Sequence, residues 1–302
     1  MNGTSLTSPS GPTVVRDGPT NQAEIEAANQ HAENLVKKSG TSFYWGMRLL
    51  PPAKRKAMFA IYAFCREVDD IADGDLLPDT KLQELAHWRE DIEALYDGRP
   101  NRLTTLALLH PVTQFNLPKG EFLGMIDGME MDAKGMMVAP SMADLERYCR
   151  AVAGTVGILS MSVFGQRNSE LDRGALALAE ALQLTNILRD VHEDAQDHRL
   201  YLPRELLMQY GIKPEPLTEA IDHPEITGVC RALASRAEKC FELSARLLAK
   251  GERDKLRPAL IMMHSYRRIL ERLVQRDWQL MDRRVKLSKI ERLWIGIRHG
   301  WF

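Results

Sequence analysis

Residues 57–75 read AMFAIYAFCREVDDIADGD and combine the longest apolar run of the chain with a group of charged side chains. If this stretch is a helix, five polar residues recur on one face, and they are Tyr62, Arg66, Asp69, Asp70 and Asp73. The other faces are apolar, which predicts a buried helix with a single polar stripe. A buried carboxylate is costly unless it pairs with a cation, and Arg66 can balance only one of the three aspartates. The stripe therefore favours a bound metal ion. Glu67 points off the stripe and Asp75 lies past Gly74, so both are expected to be ordinary surface residues.

Such a string alone is weak evidence, because aspartates before a glycine are more often a solvated helix end. A second group of polar residues strengthens the case for a metal site. Residues 181–203 read ALQLTNILRDVHEDAQDHRLYLP, and Gln183, Asn186, Asp190 and Asp194 again share one helix face. Oxygen ligands without His or Cys at ligand spacing suit Mg²⁺ rather than Zn²⁺. Two stripes that face each other across a helical cavity would hold a diphosphate through Mg²⁺.

Basic side chains near the stripes would meet the phosphate oxygens. Arg66 and Arg189 each lie beside one stripe, and Arg199 follows the second. Further along, the string MDRRVKLSK adds Arg283, whereas Arg284 is better explained as a solvated surface residue.

Rival chemistries have little support. A di-iron carboxylate bundle needs two Glu-x-x-His motifs, and the chain has one, at Glu84 and His87. The absence of P-loop and Gly-x-Gly-x-x-Gly strings argues against nucleotide hydrolysis and Rossmann cofactor binding. A formal net charge of −1 gives no general attraction to nucleic acid. A helical scaffold without a site would have to place two matched acid stripes by chance.

Helical patterns dominate from residue 23 onward, and strand patterns are nearly absent. The expected helices span residues 23–38, 41–49, 52–73, 79–97, 102–115, 119–133, 141–165, 169–195, 203–210, 225–250, 255–280 and 287–299. Residues 1–22 are rich in Gly, Ser, Thr and Pro, which predicts a disordered leader. No linker divides the remainder, so residues 23–302 are expected to form one all-α domain.

The chain closely resembles the squalene/phytoene synthase family of isoprenoid synthases in five strings, which are SFYWGMRLLPPAKRKAMFAIYAFCREVDDIADG, YCRAVAGTVG, LQLTNILRDVHEDAQDHRLYLP, SYRRIL and DRRVKLSK. The likeness covers about residues 39–289. Within the family, FCREVDDIADG and GMEMDAKG are most similar to the presqualene diphosphate synthases of bacterial hopanoid pathways. The resemblance implies the all-α isoprenoid synthase fold, in which helices surround a central cavity with two facing Asp-rich motifs.

The resemblance also implies roles for single residues. Family members bind Mg²⁺ at positions that correspond to Asp69, Asp73, Asn186, Asp190 and Asp194. Contacts to diphosphate and substrate correspond to Ser42, Phe43, Tyr62, Arg66, Gln183, Arg189, Tyr201, Tyr266 and Arg283. Tyr148 corresponds to a tyrosine near the ionising diphosphate and counts, with the four aspartates, as catalytic. The prenyl tunnel is lined at positions that correspond to Val152, Ala153 and Val156.

The implied reaction joins two farnesyl diphosphates head to head, forms presqualene diphosphate and releases diphosphate, as a step of squalene and hopanoid biosynthesis. Mg²⁺ is the expected metal ion, Mn²⁺ is an expected substitute, and NADPH is not expected. Two alternatives stay open, because tunnel depth cannot be read from a sequence. One is phytoene synthesis from two geranylgeranyl diphosphates, and the other is complete squalene or dehydrosqualene synthesis.

The longest apolar run, residues 57–65, is far shorter than the roughly 20 residues of a membrane-spanning helix. A cytoplasmic enzyme is therefore expected, with downstream squalene-forming enzymes as partners. Residues 286–302, KLSKIERLWIGIRHGWF, mix basic and aromatic side chains. This mixture is typical of peripheral contact with the inner face of a membrane, and equally of a helix that packs on the domain.

Overall fold

The computed structural model describes residues 21–40, 43–279, 283–288, 291, 294 and 295. This part of the chain is all-α, as predicted: it has no β-strand, and Val138 forms one isolated parallel bridge with Leu200. None of its helices is long and apolar enough to cross a membrane. The predicted leader lies outside the described residues except for Asn21 and Gln22, and most of residues 286–302 lie outside them too.

The described residues up to Lys134 form a first compact unit of helices. These helices are α1 (Gln22–Ser39), α2 (Phe43–Arg48), α3 (Pro52–Asp73), α4 (Pro78–Tyr96), α5 (Leu103–Gln114) and α6 (Lys119–Ala133). The Asn21 side chain caps the start of α1 by accepting a hydrogen bond from the Glu24 backbone N–H at 2.9 Å. Pro51 and Pro52 set the start of α3, where a missing N–H costs nothing.

The helix α3 is the centre of this unit and packs against the other five helices. Its apolar faces are buried, and the Phe64 ring meets Trp88 and Phe122 edge-on, with ring centroids 5.5 and 5.1 Å apart. Such pairs add to the free energy that apolar burial already supplies. This packing fixes the rotation of α3 and thereby the direction of its acid stripe.

The described residues from Gly135 onward form a second compact unit. Its helices are α7 (Met142–Cys149), α8 (Thr155–Phe164), α9 (Ser169–Gln196), α10 (Arg204–Gln209), α11 (Leu217–Ile221), α12 (Ile226–Leu248) and α13 (Arg253–Arg276). The helix α9 has 28 residues, begins at an Asn168 side-chain cap and packs against most of the others. The α12 helix approaches α9 closely at Gly174, where an added Cβ would lie 3.0 Å from Leu247 Cβ.

The structure departs from the predicted helices at two places in this unit. The stretch 141–165 is not one regular helix, because a π-helical turn, Arg150–Gly154, joins α7 to α8. Gly154 packs there against α9, where an added Cβ would come within 3.1 Å of Leu176. The helix α11 was not predicted, since five residues are too few to establish a helical period. The single domain over residues 23–302 stays a prediction.

Candidate active site

The first acid stripe lies on α3 as its spacing predicts. Tyr62, Asp69 and Asp70 are half-buried, whereas Arg66 and Asp73 are exposed. The Arg66 guanidinium contacts two carboxylates, with Nη2 2.5 Å from Asp70 Oδ1 and Nη1 3.5 Å from Asp69 Oδ2. One arginine therefore serves two acids of the stripe.

The Asp69 carboxyl group is held in an environment that disfavours its charge. Its side chain is 36% exposed, yet the carboxyl group is buried enough for desolvation to act on it. Burial, followed by the nearby Asp73 carboxylate, raises the pKa of Asp69 to about 7 in spite of the opposing effect of Arg66. Asp70 and Asp132 add to the increase. The stripe thus carries surplus negative charge that a cation would relieve.

Two acidic residues near this stripe were not placed correctly from the sequence. Asp132 of α6 is close enough to raise the pKa of Asp69, but the GMEMDAKG string had given it no role. Glu67 was expected on the surface because it points away from the stripe, and this prediction is wrong. Glu67 is buried, and His31 Nε2 of α1 lies 2.9 Å from Glu67 Oε1. The face of α3 that carries Glu67 is covered by α1, and a helical period cannot show which neighbouring helix covers a face.

The second acid stripe lies on α9, where Gln183, Asn186, Asp190 and Asp194 are all half-buried. Arg189 donates from Nε to Asp190 Oδ1 at 2.8 Å and from Nη2 to Asp190 Oδ2 at 2.6 Å. This bidentate contact fixes the plane of the carboxylate.

Tyr266 of α13 contacts residues in and beside this stripe. Its hydroxyl is hydrogen-bonded to Arg189 and Asn186, and burial raises its pKa although Arg189 opposes the increase. The Trp278 indole N–H, beyond α13, donates to the Leu188 carbonyl oxygen at 2.9 Å. These contacts hold α9 and the end of α13 together, so the predicted residues Asn186, Arg189 and Tyr266 form one cluster.

Arg284 also belongs to this cluster, although the sequence favoured a surface role for it. Its Nη2 atom lies 2.9 Å from Asp190 Oδ2, and its Nη1 atom lies 3.4 Å from Glu193 Oε2. Arg284 is exposed, in keeping with that preference, but nothing local in the string MDRRVKLSK shows that this arginine also reaches α9. The neighbouring Arg283 is exposed, and its predicted contact with diphosphate stays a prediction.

Tyr148 and Tyr201 form a second group of predicted residues. Both are buried, their rings stack with centroids 5.2 Å apart, and their hydroxyl oxygens lie 3.5 Å apart. The chain after α9 is placed by backbone contacts, because the Ala139 N–H donates to the Leu200 carbonyl oxygen at 2.7 Å. That contact brings Tyr201 to Tyr148 at the end of α7.

The residues expected to line a prenyl tunnel lie at the irregular join between α7 and α8. Val152 and Ala153 are in the π-helical turn, and Val156 is in the first turn of α8. All three are half-buried. Turns of this kind occur often at functional sites, because the extra residue re-aims the side chains around it. Phe43 begins α2 and is half-buried, whereas Ser42 lies outside the described residues.

A protein-family model described as "Squalene/phytoene synthase" matches residues 36–291. The chain belongs to this family. It is 41% identical to presqualene diphosphate synthase of Zymomonas mobilis, over 92% of this chain and 95% of the relative. It is 37% identical to phytoene synthase of Mycobacterium tuberculosis, over 89% of each. A solved structure of a dehydrosqualene synthase in complex with ligand matches with a TM-score of 0.82 at 29% identity, over 92% of this chain and 97% of that chain.

As a squalene/phytoene synthase, the chain is a prenyltransferase of the isoprenoid synthase fold that joins prenyl groups head to head from a prenyl diphosphate. This confirms the resemblance seen in the sequence and excludes the scaffold interpretation. The family uses divalent metal ions.

The oxygen atoms of α9 fit such an ion. Asn186 Oδ1 is buried and has no hydrogen-bond partner among the described residues, although the same amide meets Tyr266. A buried oxygen without a donor is costly, and a bound cation would satisfy it. In the described part of the chain, no three His, Cys, Asp or Glu side chains converge as a metal-binding group. On both stripes arginines contact the carboxylates, at Asp70 and at Asp190.

Proposed function

We propose that this prenyltransferase condenses two farnesyl diphosphates to presqualene diphosphate in a Mg²⁺-dependent reaction that releases diphosphate. The observation that carries the proposal is the unsatisfied oxygen of Asn186, one helical turn before the arginine-bound carboxylate of Asp190. Ionisation of a prenyl diphosphate requires a cation that binds the diphosphate, and this oxygen would be a ligand of that cation. The presqualene diphosphate synthases among its relatives support the choice of product.

The residues that would hold Mg²⁺, or Mn²⁺ in its place, are Asp69, Asp73, Asn186, Asp190 and Asp194. The bound metal would neutralise the diphosphate and ease cleavage of the allylic C–O bond. The surplus negative charge around Asp69 and the unsatisfied oxygen of Asn186 both favour a divalent cation there.

Arginines and tyrosines would bind the departing diphosphate. Arg66 and Arg189 already present guanidinium groups at the two stripes. We assign further contacts with diphosphate and substrate to the remaining predicted residues, which are Ser42, Phe43, Tyr62, Gln183, Tyr201, Tyr266 and Arg283. Buried Tyr148 would donate a hydrogen bond toward the diphosphate, where such a bond gains strength as charge develops.

The chemical step follows from these contacts. The C1–O bond of one farnesyl diphosphate breaks, and its electron pair leaves with the diphosphate. The C2=C3 bond of the second molecule attacks the allylic cation, and loss of one proton, to the departing diphosphate or to a tyrosine, closes the cyclopropane. Val152, Ala153 and Val156 would line the path of the hydrocarbon and keep water from the cation. NADPH is not needed for these steps.

Phytoene synthesis from geranylgeranyl diphosphate is the second candidate. It is favoured by the 37% identity to a phytoene synthase, which is only slightly below the 41% identity to a presqualene diphosphate synthase. Reduction to squalene is a further possibility that the product analysis also tests.

The purified chain should be incubated with farnesyl or geranylgeranyl diphosphate, with and without Mg²⁺ and NADPH, and the products analysed by mass spectrometry. We expect presqualene diphosphate from farnesyl diphosphate, only with the metal ion, and the same product when NADPH is added. Phytoene as the main product would overturn the assignment of the substrate. Squalene formed in the presence of NADPH would overturn the assignment of the end product.

A further inference from the structure

Residues 283–288, here named the strap, follow α13 and carry Arg284 to α9. The Arg284 guanidinium reaches Asp190 at 2.9 Å and Glu193 at 3.4 Å, so the strap and α9 are joined by two ionic contacts. Val285, the next residue, is buried and anchors the middle of the strap.

Arg272 of α13 fixes the strap from the other side. It donates from Nη1 to the Lys286 carbonyl oxygen at 2.9 Å and from Nη2 to Glu291 Oε1 at 2.5 Å. Glu291 in turn accepts from the Ser288 backbone N–H at 2.9 Å. The Arg272 guanidinium thus joins the strap to α13 at Lys286, two residues after Arg284.

Asp190 lies in a group of four charged side chains. Arg189 and Arg284 carry two positive charges, and Asp190 and Glu193 carry two negative charges. A divalent cation that binds Asp190 therefore competes with a guanidinium. Arg189 is only 14% exposed and also meets Tyr266, whereas Arg284 is 41% exposed. Arg284 is the group that leaves at lower cost, because water can solvate it.

We propose that Arg284 is the counter-ion of Asp190 and that a divalent metal ion displaces its guanidinium when the ion binds Asp190. Arg272 and Glu291 are positioning residues that hold the strap where Arg284 reaches Asp190. The inference rests on the proposed metal role of Asp190. It adds to that role a competing cation supplied by the chain itself.

The test is Mn²⁺ binding to the full chain without substrate, followed by electron paramagnetic resonance of the free ion. Arg284→Gln is expected to bind Mn²⁺ about threefold to tenfold more tightly, as the loss of a partly exposed competing ion pair predicts. Arg284→Lys keeps the charge and should restore most of the wild-type affinity. Arg257→Gln is the matched control, because Arg257 is an α13 arginine that pairs with Asp254 instead. It should leave the affinity unchanged.

Arg272→Gln should also tighten Mn²⁺ binding, by a smaller factor, because a released strap holds Arg284 at Asp190 less often. Glu291→Gln removes the same tie and replaces Arg272→Gln if that variant does not fold. In 1 M KCl, wild type and Arg284→Gln should converge, since salt screens the exposed pair.

Asp190→Asn distinguishes the metal role of Asp190 from the counter-ion role of Arg284. If Asp190→Asn loses Mn²⁺ binding while Arg284→Gln binds like wild type, the counter-ion role is overturned and the metal role stands. If Asp190→Asn binds Mn²⁺ like wild type, the metal role of Asp190 is overturned, and the counter-ion role with it. Equal tightening in Arg284→Gln and Arg257→Gln would show a general charge effect and would also overturn the counter-ion role.

Discussion

The two acid stripes share a helical spacing but differ in how their charges are balanced. On α3, one guanidinium, that of Arg66, contacts both Asp69 and Asp70. On α9, two guanidinium groups, those of Arg189 and Arg284, contact the single carboxylate of Asp190. The first stripe therefore has surplus negative charge, whereas Asp190 of the second stripe already has two cationic partners.

This difference shows that similar acid motifs can meet a cation in different ways. On α3, burial and then the neighbouring Asp73 carboxylate raise the pKa of Asp69, and the surplus negative charge attracts a cation directly. On α9 a cation must replace an arginine at Asp190, and the unsatisfied oxygen of Asn186 offers it a further ligand. The following predictions test this contrast, from the largest expected effect to the smallest.

The largest effect is expected on turnover. Asp69→Asn and Asp190→Asn should each lower Mg²⁺-dependent turnover by about a hundredfold or more, since each removes a proposed metal ligand. Steady-state product formation from farnesyl diphosphate measures this loss. Asp75→Asn is the matched control, because Asp75 is exposed beyond the end of α3. Full turnover in either ligand variant would refute the metal assignment for that stripe.

A large loss of stability is expected behind the first stripe. His31→Ala would leave Glu67 buried without its partner, and one Glu67 oxygen already lacks a hydrogen bond among the described residues. We expect the free energy of unfolding to fall by about 3 kcal/mol, as measured by urea denaturation. Glu67→Gln keeps the shape without the charge and should cost clearly less. Equal losses in the two variants would mean that packing, and not the buried charge, sets the cost.

The second stripe predicts a moderate loss of stability in the absence of metal. Asp190→Asn removes the carboxylate that both arginines contact, which leaves the largely buried Arg189 poorly paired. Unfolding free energy should fall by about 1–2 kcal/mol in denaturation without divalent ions. Glu193→Gln, whose side chain is exposed, should change it by less than about 0.5 kcal/mol. A stabilised Asp190→Asn would contradict the pairing of Asp190 with both arginines.

The smallest effect is expected for the pH dependence of stability on α3, because solvent screens the partly exposed Asp69 carboxyl group. Because the pKa of Asp69 is raised to about 7, the folded protein binds a proton that the unfolded chain releases near pH 4. Wild type should therefore lose stability relative to Asp69→Asn as the pH rises from about 4 to about 7, with no further change above that range. Melting temperatures of both proteins at each pH, without divalent ions, measure the difference. A constant difference between pH 4 and pH 8 would show that the pKa of Asp69 is not raised.

Residues with a local signal were predicted well, and residues defined by distant neighbours were not. The spacing of Asn186, Asp190 and Asp194 indicated one helix face, and α9 places them there. Glu67 was misplaced because the period shows which way it points but not that α1 covers that side. The π-helical turn was missed because its residues still fit a regular helical pattern.

The sequence by itself determined the all-α class, both stripes and the oxygen chemistry of their side chains. These properties depend on residue types within three or four positions, over which helix geometry is fixed. Only the tertiary structure decided that Arg284 reaches Asp190, 94 positions earlier, and that Glu67 pairs with His31, 36 positions earlier. Such contacts depend on how helices pack, and packing is set by the whole set of buried surfaces rather than by any local pattern.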